Sequence, residues 1–214
     1  MQTPINNNII LPPRLFAPAG YYALISAANK AVIDTSMPFD KRQKAVHRYE
    51  IADTRGRLAL TVPITKAHDL GRRPLWSDTI VSSHGEWWKL HITALESAYG
   101  RTPYFEFIID KFNEIFVNPD KFPRNVIELI ELADTKIREI LQIETPVEWG
   151  TSQNSAIDLR NTSFETPQMP EHYQIRADRL GFIPSLSILD LIFNLGPESV
   201  LYIDNLATKF ANAN

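Results

Sequence analysis

Short continuous apolar runs alternate along this chain with stretches whose apolar residues recur every three or four positions, and the change of period divides it into elements. Asn8–Leu11 is a short apolar run closed by Pro12 and Pro13, which predicts a strand. Pro18 suits an early helical position, and Tyr21, Tyr22, Leu24, Ile25 and Ala28 then fit a helix of about ten residues. Asn29 terminates it, and Ala31–Thr35 reads as a second buried strand. Strand, short helix and strand in this order predict a right-handed βαβ unit with parallel strands. Sites in such units lie at the carboxyl ends of the strands, which places Pro12–Phe16 and Asp34–Phe39 beside a candidate pocket.

Further along, Tyr49–Ala52 and Leu58–Ile64 flank Asp53–Arg57, whose Gly56 supplies the turn position of a hairpin. Pro63 ends the second strand or puts it at an edge. Lys66–Trp76 reads as a loop and Asp78–Val81 as another strand. Ser82–Phe105 is the stretch around which the chain is organised. Ser83 and Glu86 have capping-box spacing, predicting a helix over Gly85–Tyr99 with Trp88, Ile92, Leu95 and Tyr99 as its buried stripe. Pro103 starts a second helix with Phe105, Ile108, Ile109, Phe112, Ile115 and Phe116 on its apolar face. A third opens at Pro123 and carries Val126, Ile130, Ala133, Ile137 and Ile140.

Gln142–Trp149 suggests a late strand. The polar span from Gly150 to Glu171 is the candidate for a mobile lid or ligand loop, because structureless spans of about 20 residues are unusual inside a compact domain. Ser187 and Asp190 have helix-start spacing, Ile188, Leu191, Ile192 and Leu195 form a core stripe, and Gly196–Pro197 is a stop. Val200–Ile203 adds a strand or a helical turn before a tail read as disordered. Together these elements predict an α/β protein in one domain spanning 1–214: a mixed sheet with an N-terminal βαβ unit, a hairpin and several packed helices, or α+β if the βαβ unit does not form.

Composition narrows the function classes. The 214 residues include 22 Lys and Arg against 25 Asp and Glu, a net charge of -3 that gives no global argument for nucleic acid. No apolar run is long enough to span a bilayer, and the N-terminus lacks the features of a secretory signal, so a cytoplasmic protein without membrane insertion is expected. With no cysteine there are no disulfides, thiolate nucleophiles or cysteine metal sites. Walker, dinucleotide, nucleophile-elbow and HExxH motifs are missing, and His47, His68, His84, His91 and His172 show no compact ligand spacing. Neither a cofactor nor a metal is therefore expected. Homodimerisation is only a base-rate expectation.

Candidate chemistry gathers in three places. His91 lies at the border of the central helix's apolar stripe, where it can act as a general base, bind an anion or simply pack as a hydrogen-bonded ring. His84, at the entrance of that helix, can help hold a phosphate or carboxylate. Lys41, Arg42, Lys44, His47 and Arg48 form a basic cluster, readable as a phosphate site or as a charged strand face. Arg72 and Arg73 read first as a solvated loop. Asp190 and Asn194 share a helix face and either anchor the preceding turn or recognise a ligand, with anchoring preferred for Asp190.

Several blocks occurring in one order resemble the WbqC-like family. They run through Leu11–Pro12, Phe16 and Gly20–Tyr21–Tyr22, then Phe39 with Lys41 and Leu60–Thr61–Val62–Pro63. His84–Gly85, Trp88, His91, Ala98–Tyr99 and Pro103–Tyr104–Phe105 continue the series. The most specific part is Tyr173–Gln174, Gly181–Phe182, Pro184 and Leu186–Asn194 with Gly196. The chain departs from the family where Leu11–Pro12 replaces a Gln-Pro pair and His47–Arg48 replaces an Asn-Arg pair. The resemblance implies bacterial surface-polysaccharide (O-antigen) biosynthesis, with acyl or aminoacyl transfer to a nucleotide-linked or otherwise activated amino sugar. In that setting Lys41, Arg42, Arg48 and His84 would face a diphosphate, His91 would be the general base, and Tyr173, Gln174 and Asn194 would orient the sugar. The alternative is a non-catalytic glycan-pathway binding or scaffolding protein, with Tyr21, Trp76 or Trp87 as a stacking platform. A peptide or protein interaction module is a third reading.

Overall fold

The computed structural model describes residues 5–66, 70–121, 124–151, 156–164 and 169–212. Its first unit is the βαβ motif: β1 (Ile5–Leu11), α1 (Ala19–Ala27) and β2 (Ala28–Asp34), with Ile9, Ile10 and Leu11 opposite Ala31, Val32 and Ile33 in parallel register. β7 (Val147–Gly150) joins β2 and β8 (Ile157–Asp158) joins β1, so the four-stranded sheet runs β7-β2-β1-β8 with every pairing parallel. The antiparallel pairings lie in two separate ribbons. One is the hairpin of β3 (Arg48–Asp53) and β4 (Gly56–Thr61), turned at Gly56 with φ 117°; the other pairs β5 (Ile64–Lys66) with β6 (Thr79–Val81). The mixture of strand directions is thus between sheets and not within one.

Helix α1 is buried on nearly every side and packs against the C-terminal helix α7 (Glu198–Asn212). The residues read as a final strand or turn and a disordered tail therefore belong to a helix of 15 residues, with Ile203, Leu206 and Ala207 buried at helical spacing. The central helix α2 (Trp87–Tyr99) starts two residues later than its sequence suggests. Gly85 and Glu86 have φ of 69° and 46°, so the chain makes a 3₁₀ turn over His84–Glu86 and cannot continue it as an α-helix. Ser83 makes no side-chain cap bond, and Glu86 pairs with Lys89 Nζ at 2.6 Å. The buried face of α2 is Trp87, Trp88, His91, Leu95, Ala98 and Tyr99, while Ile92 is half-buried.

After α3 (Phe105–Ile109), helix α4 (Val126–Ile140) is capped by Asn125 and Glu128, which exchange side-chain and backbone hydrogen bonds at 3.0 and 2.8 Å. Pro123 lies outside the described residues, as do parts of the 150–171 span. The described parts of that span are built into the fold. β8 pairs with β1, Phe164 is buried, and the Phe164 carbonyl lies where a Cβ on Gly20 would come within 2.5 Å.

α5 (Ala177–Leu180) and α6 (Ile188–Leu195) complete the element list. Asp190, on α6, is 1% exposed and accepts from four side chains. Tyr99 O–H donates to Oδ1 at 2.8 Å, Gln174 Nε2 donates to Oδ2 at 2.8 Å, His172 Nε2 lies 2.8 Å from Oδ2, and Asn194 Nδ2 reaches Oδ1 at 3.3 Å. The same groups hold backbone: Tyr99 Oη accepts from Ala52 N–H, Gln174 bonds both N–H and C=O of Ile183, and Asn194 Oδ1 accepts from Ile175 N–H. One carboxylate thus fixes α2, β3, α6 and the 172–183 segment against one another.

Replacing this acceptor leaves several buried donors unpaired. Asp190→Ala is expected to cost about 3 kcal/mol or more in urea unfolding. Tyr173→Ala, at a position 60% exposed, should stay within about 0.5 kcal/mol.

Candidate functional site

Because β1 and β2 are parallel, the chain leaves both at the same end. Pro12 and Pro13 stop β1, and Tyr21 O–H donates to the Pro12 carbonyl at 3.0 Å, tying that exit to α1. Asp34 ends β2 and turns the chain by accepting from Ser36 N–H at 2.9 Å and Ser36 Oγ–H at 2.6 Å. Two adjoining cavities of about 270 and 290 Å³ open here, and both are lined by Arg14, Lys44 and Ala45. Phe16, Pro18, Arg48, Tyr49 and Ser187 are among the further walls of the first; Pro12, Met37, Arg42 and Arg160 are among those of the second.

The cleft is cationic. Lys44 and Arg48 have no ion pair among the described residues, and Arg48 Nε donates to Thr61 Oγ1 at 2.7 Å, which fixes its stem. The Arg14 guanidinium lies 4.6 Å from the Phe164 ring centroid. Arg42 is held by Asp40, whose carboxyl its guanidinium lowers to about 2. Arg160 spans Asp34 at 2.6 Å and Asp158 at 2.7 Å. The acid among the walls of the first cavity, Glu50, pairs with Arg57 at 2.7 Å.

Two helices begin at the first cavity. Pro18 is the N-cap of α1 and Ser187 the N-cap of α6, and the two residues form an isolated antiparallel bridge. Ser187 N–H donates to the Glu50 carbonyl at 2.8 Å and Ile188 N–H to the Ala17 carbonyl at 2.9 Å, so β3, α1 and α6 meet at this wall. Phe16 and Ser185, also in the wall, are left-handed with φ of 46° and 56°, a strain of order 1 kcal/mol each held by the surrounding packing.

Of the residues singled out in the sequence, Arg42 and Arg48 line the cleft and Lys41 is exposed beside Arg42, outside both linings. His84 is exposed in the 3₁₀ turn and does not line either cavity. His91 is 3% exposed, packed edge-on against Trp87, Phe116 and Tyr49, with Nδ1 3.1 Å from Tyr49 Oη. It sits behind Tyr49, whose ring packs against Phe16 at 4.8 Å. Tyr173 is exposed, while Gln174 and Asn194 are buried in the Asp190 network and do not reach the cleft. Tyr21, Trp76 and Trp87 are at most 3% exposed, so none of them offers a stacking face.

Lys44, part of the basic cluster read from the sequence, lines both cavities, whereas Arg14, Arg160, Glu50 and Ser187 are lining residues that chemistry-led reading of the sequence does not single out as ligand contacts. The strand-end rule does find Arg14. Among the described residues no group of three or more His, Asp or Glu side chains is arranged to hold a metal ion, and no helix is long and apolar enough to cross a membrane.

The geometry defines a mixed α/β protein with a cationic cleft at the carboxyl ends of the two inner strands of its parallel sheet. The chain belongs to the WbqC-like protein family, whose model matches residues 13–157, a family linked to polysaccharide biosynthesis. It is also similar to the uncharacterized protein Rv1507c of Mycobacterium tuberculosis (strain ATCC 25618 / H37Rv), with 27% identity over 221 aligned positions covering 86% of this chain and 91% of that protein. No solved structure matches the chain.

Burial holds the His91 imidazole down at about 4 against an ordinary 6.5, with a hydrogen bond to the Thr61 carbonyl partly opposing the shift. Below pH 6.5 the unfolded chain takes up a proton that the folded chain refuses, so stability is full above pH 6.5 and falls as pH drops toward 4. The loss across that window amounts to about 3 kcal/mol. His91→Phe should flatten this part of the stability profile, read by urea unfolding at a series of pH values.

Proposed function

We propose that this chain is an enzyme of surface-polysaccharide biosynthesis that binds a nucleotide-linked or otherwise activated amino sugar in the strand-end cleft and transfers an acyl or aminoacyl group to it in the cytoplasm. The observation that supports this most is the convergence of Arg14, Arg42, Lys44, Arg48 and Arg160 on two adjoining cavities. Guanidinium and ammonium groups bind phosphate through charge-assisted hydrogen bonds, and a diphosphate supplies enough negative charge to engage several of them at once. Lys41 adds to the field at the mouth. Family membership supports the polysaccharide setting.

Two groups can take the proton that the attacking nitrogen loses: Glu50, which lines the cleft, and His91, reached through the Tyr49 hydroxyl. Burial holds the His91 pKa at about 4, which keeps the ring neutral at pH 7 and makes it a weak proton acceptor. A second reading, binding without turnover, is favoured by the seclusion of His91 behind Tyr49 and by the engagement of Glu50 with Arg57.

With UDP-glucosamine as probe, the double variant Lys44→Ala, Arg48→Ala should bind at least about tenfold more weakly in calorimetry, and the affinity of the natural chain should fall as salt rises. Equal affinity of the two proteins would remove the cleft from consideration. Mass spectrometry of the sugar after incubation with acyl-thioester and aminoacyl donors separates the readings. An acylated product whose formation slows in Glu50→Gln or His91→Phe supports transfer, and tight binding with no product across the donors supports the second reading.

A further inference from the structure

The wall of the first cavity contains a buried polar atom that the described residues leave unsatisfied. Ser187 is 5% exposed and lines the cavity, yet its Oγ has no hydrogen-bond partner. As the N-cap of α6 this hydroxyl would ordinarily accept from an amide of the first helical turn, but it makes no such bond. A buried hydroxyl without a partner costs about 1–3 kcal/mol. A cap residue that does no capping, at the wall of a cavity, is placed for something outside the helix.

The surroundings specify what that is. The cap residues of α1 and α6 both line the cavity; the first turn of α1 holds no acid, so its positive end faces this wall, whereas Asp190 in the first turn of α6 offsets that helix's end. Lys44 and Arg48 face the same space without ion pairs among the described residues, and the nearby Glu50 carboxylate is engaged by Arg57. The wall therefore offers a hydroxyl donor, one partial positive charge and two full ones, which suits a small dianion with several acceptor oxygens.

We propose that Ser187 Oγ, the start of α1, Lys44 and Arg48 form a cradle for one phosphate group. The buried Ser187 hydroxyl turns into the cavity by rotation about χ1 and donates its proton to a phosphate oxygen. Arg14 and Lys44 line both cavities, so a second phosphate joined to the first by an anhydride bond lies between these two side chains, and the remainder of the molecule extends into the adjoining cavity. The ligand class is a diphosphate. That its far end is an amino sugar rests on the function proposed above, whereas the cradle itself does not.

The test compares the natural chain with Ser187→Ala and Ser187→Thr, using inorganic pyrophosphate and UDP-glucosamine as separate probes in calorimetry, with melting temperature of the free proteins as a second readout. Ser187→Ala should keep or raise the melting temperature, because it removes an unpartnered buried hydroxyl and no cap bond, while binding pyrophosphate about tenfold or more weakly. Ser187→Thr should recover affinity. Unchanged pyrophosphate affinity in Ser187→Ala overturns the cradle, as does a lowered melting temperature with unchanged affinity, the mark of a purely capping or water-bound serine. Serine-dependent binding of pyrophosphate without binding of UDP-glucosamine upholds the cradle and overturns the sugar reading. Binding of UDP-glucosamine with equal affinity in Ser187→Ala does the reverse.

Discussion

The carboxylate of Asp190 is the constraint on which the arrangement of this protein depends. A buried carboxylate must be met by donors or it costs several kcal/mol. The donors here come from elements far apart in sequence, Tyr99 on α2, His172 and Gln174 before α5, and Asn194 on α6. Through Tyr99 the constraint passes to Ala52 of β3, the strand that carries Tyr49 and Glu50 into the cleft. Three residues before Asp190, Ser187 stands in the same cleft wall. One side of the cleft is thus positioned by a polar network in the core and the other by the parallel pair β1 and β2.

That division explains how cations spread between positions 14 and 160 come to share one space. Arg14 follows the strand exit at Pro12–Pro13, Arg42 and Lys44 sit on the connection from β2 to β3, Arg48 opens β3, and Arg160 follows β8. Three separate backbone segments thus deliver the five cations. Asp34, at the end of β2, is the anchor that brings the last of them in.

Much of the scaffold was legible in the residues, because a strand or helix that buries one face writes its period into the chain. The βαβ unit followed from two apolar runs around Pro18, and the hairpin from Gly56. The late start of α2 was not legible, since Ser83 and Glu86 have the spacing of a cap and only tertiary packing imposes left-handed Gly85 and Glu86. α7 was missed for a different reason: Val200–Ile203 alone has no decisive period, whereas Ile203, Leu206 and Ala207 read together do. β8 has two residues and carries too little pattern to find. The site was harder. Gln174 and Asn194 are residue types that serve equally well in ligand contacts and in core networks, and only their neighbours decide. Arg14 and Lys44 become partners through topology, which no local spacing records.

The narrow outer strands of the parallel sheet have a bearing on solubility. An open sheet edge is a row of unpaired amides and carbonyls on which another chain can assemble, and long, flat edges are the hazardous ones. Here one margin is a four-residue strand preceded by Pro146 and the other a two-residue strand, Ile157–Asp158, that gives way to a turn. Neither offers a template long enough for an ordered intermolecular ladder. The brevity of β8 that hides it in the sequence therefore also protects this sheet from edge-to-edge aggregation.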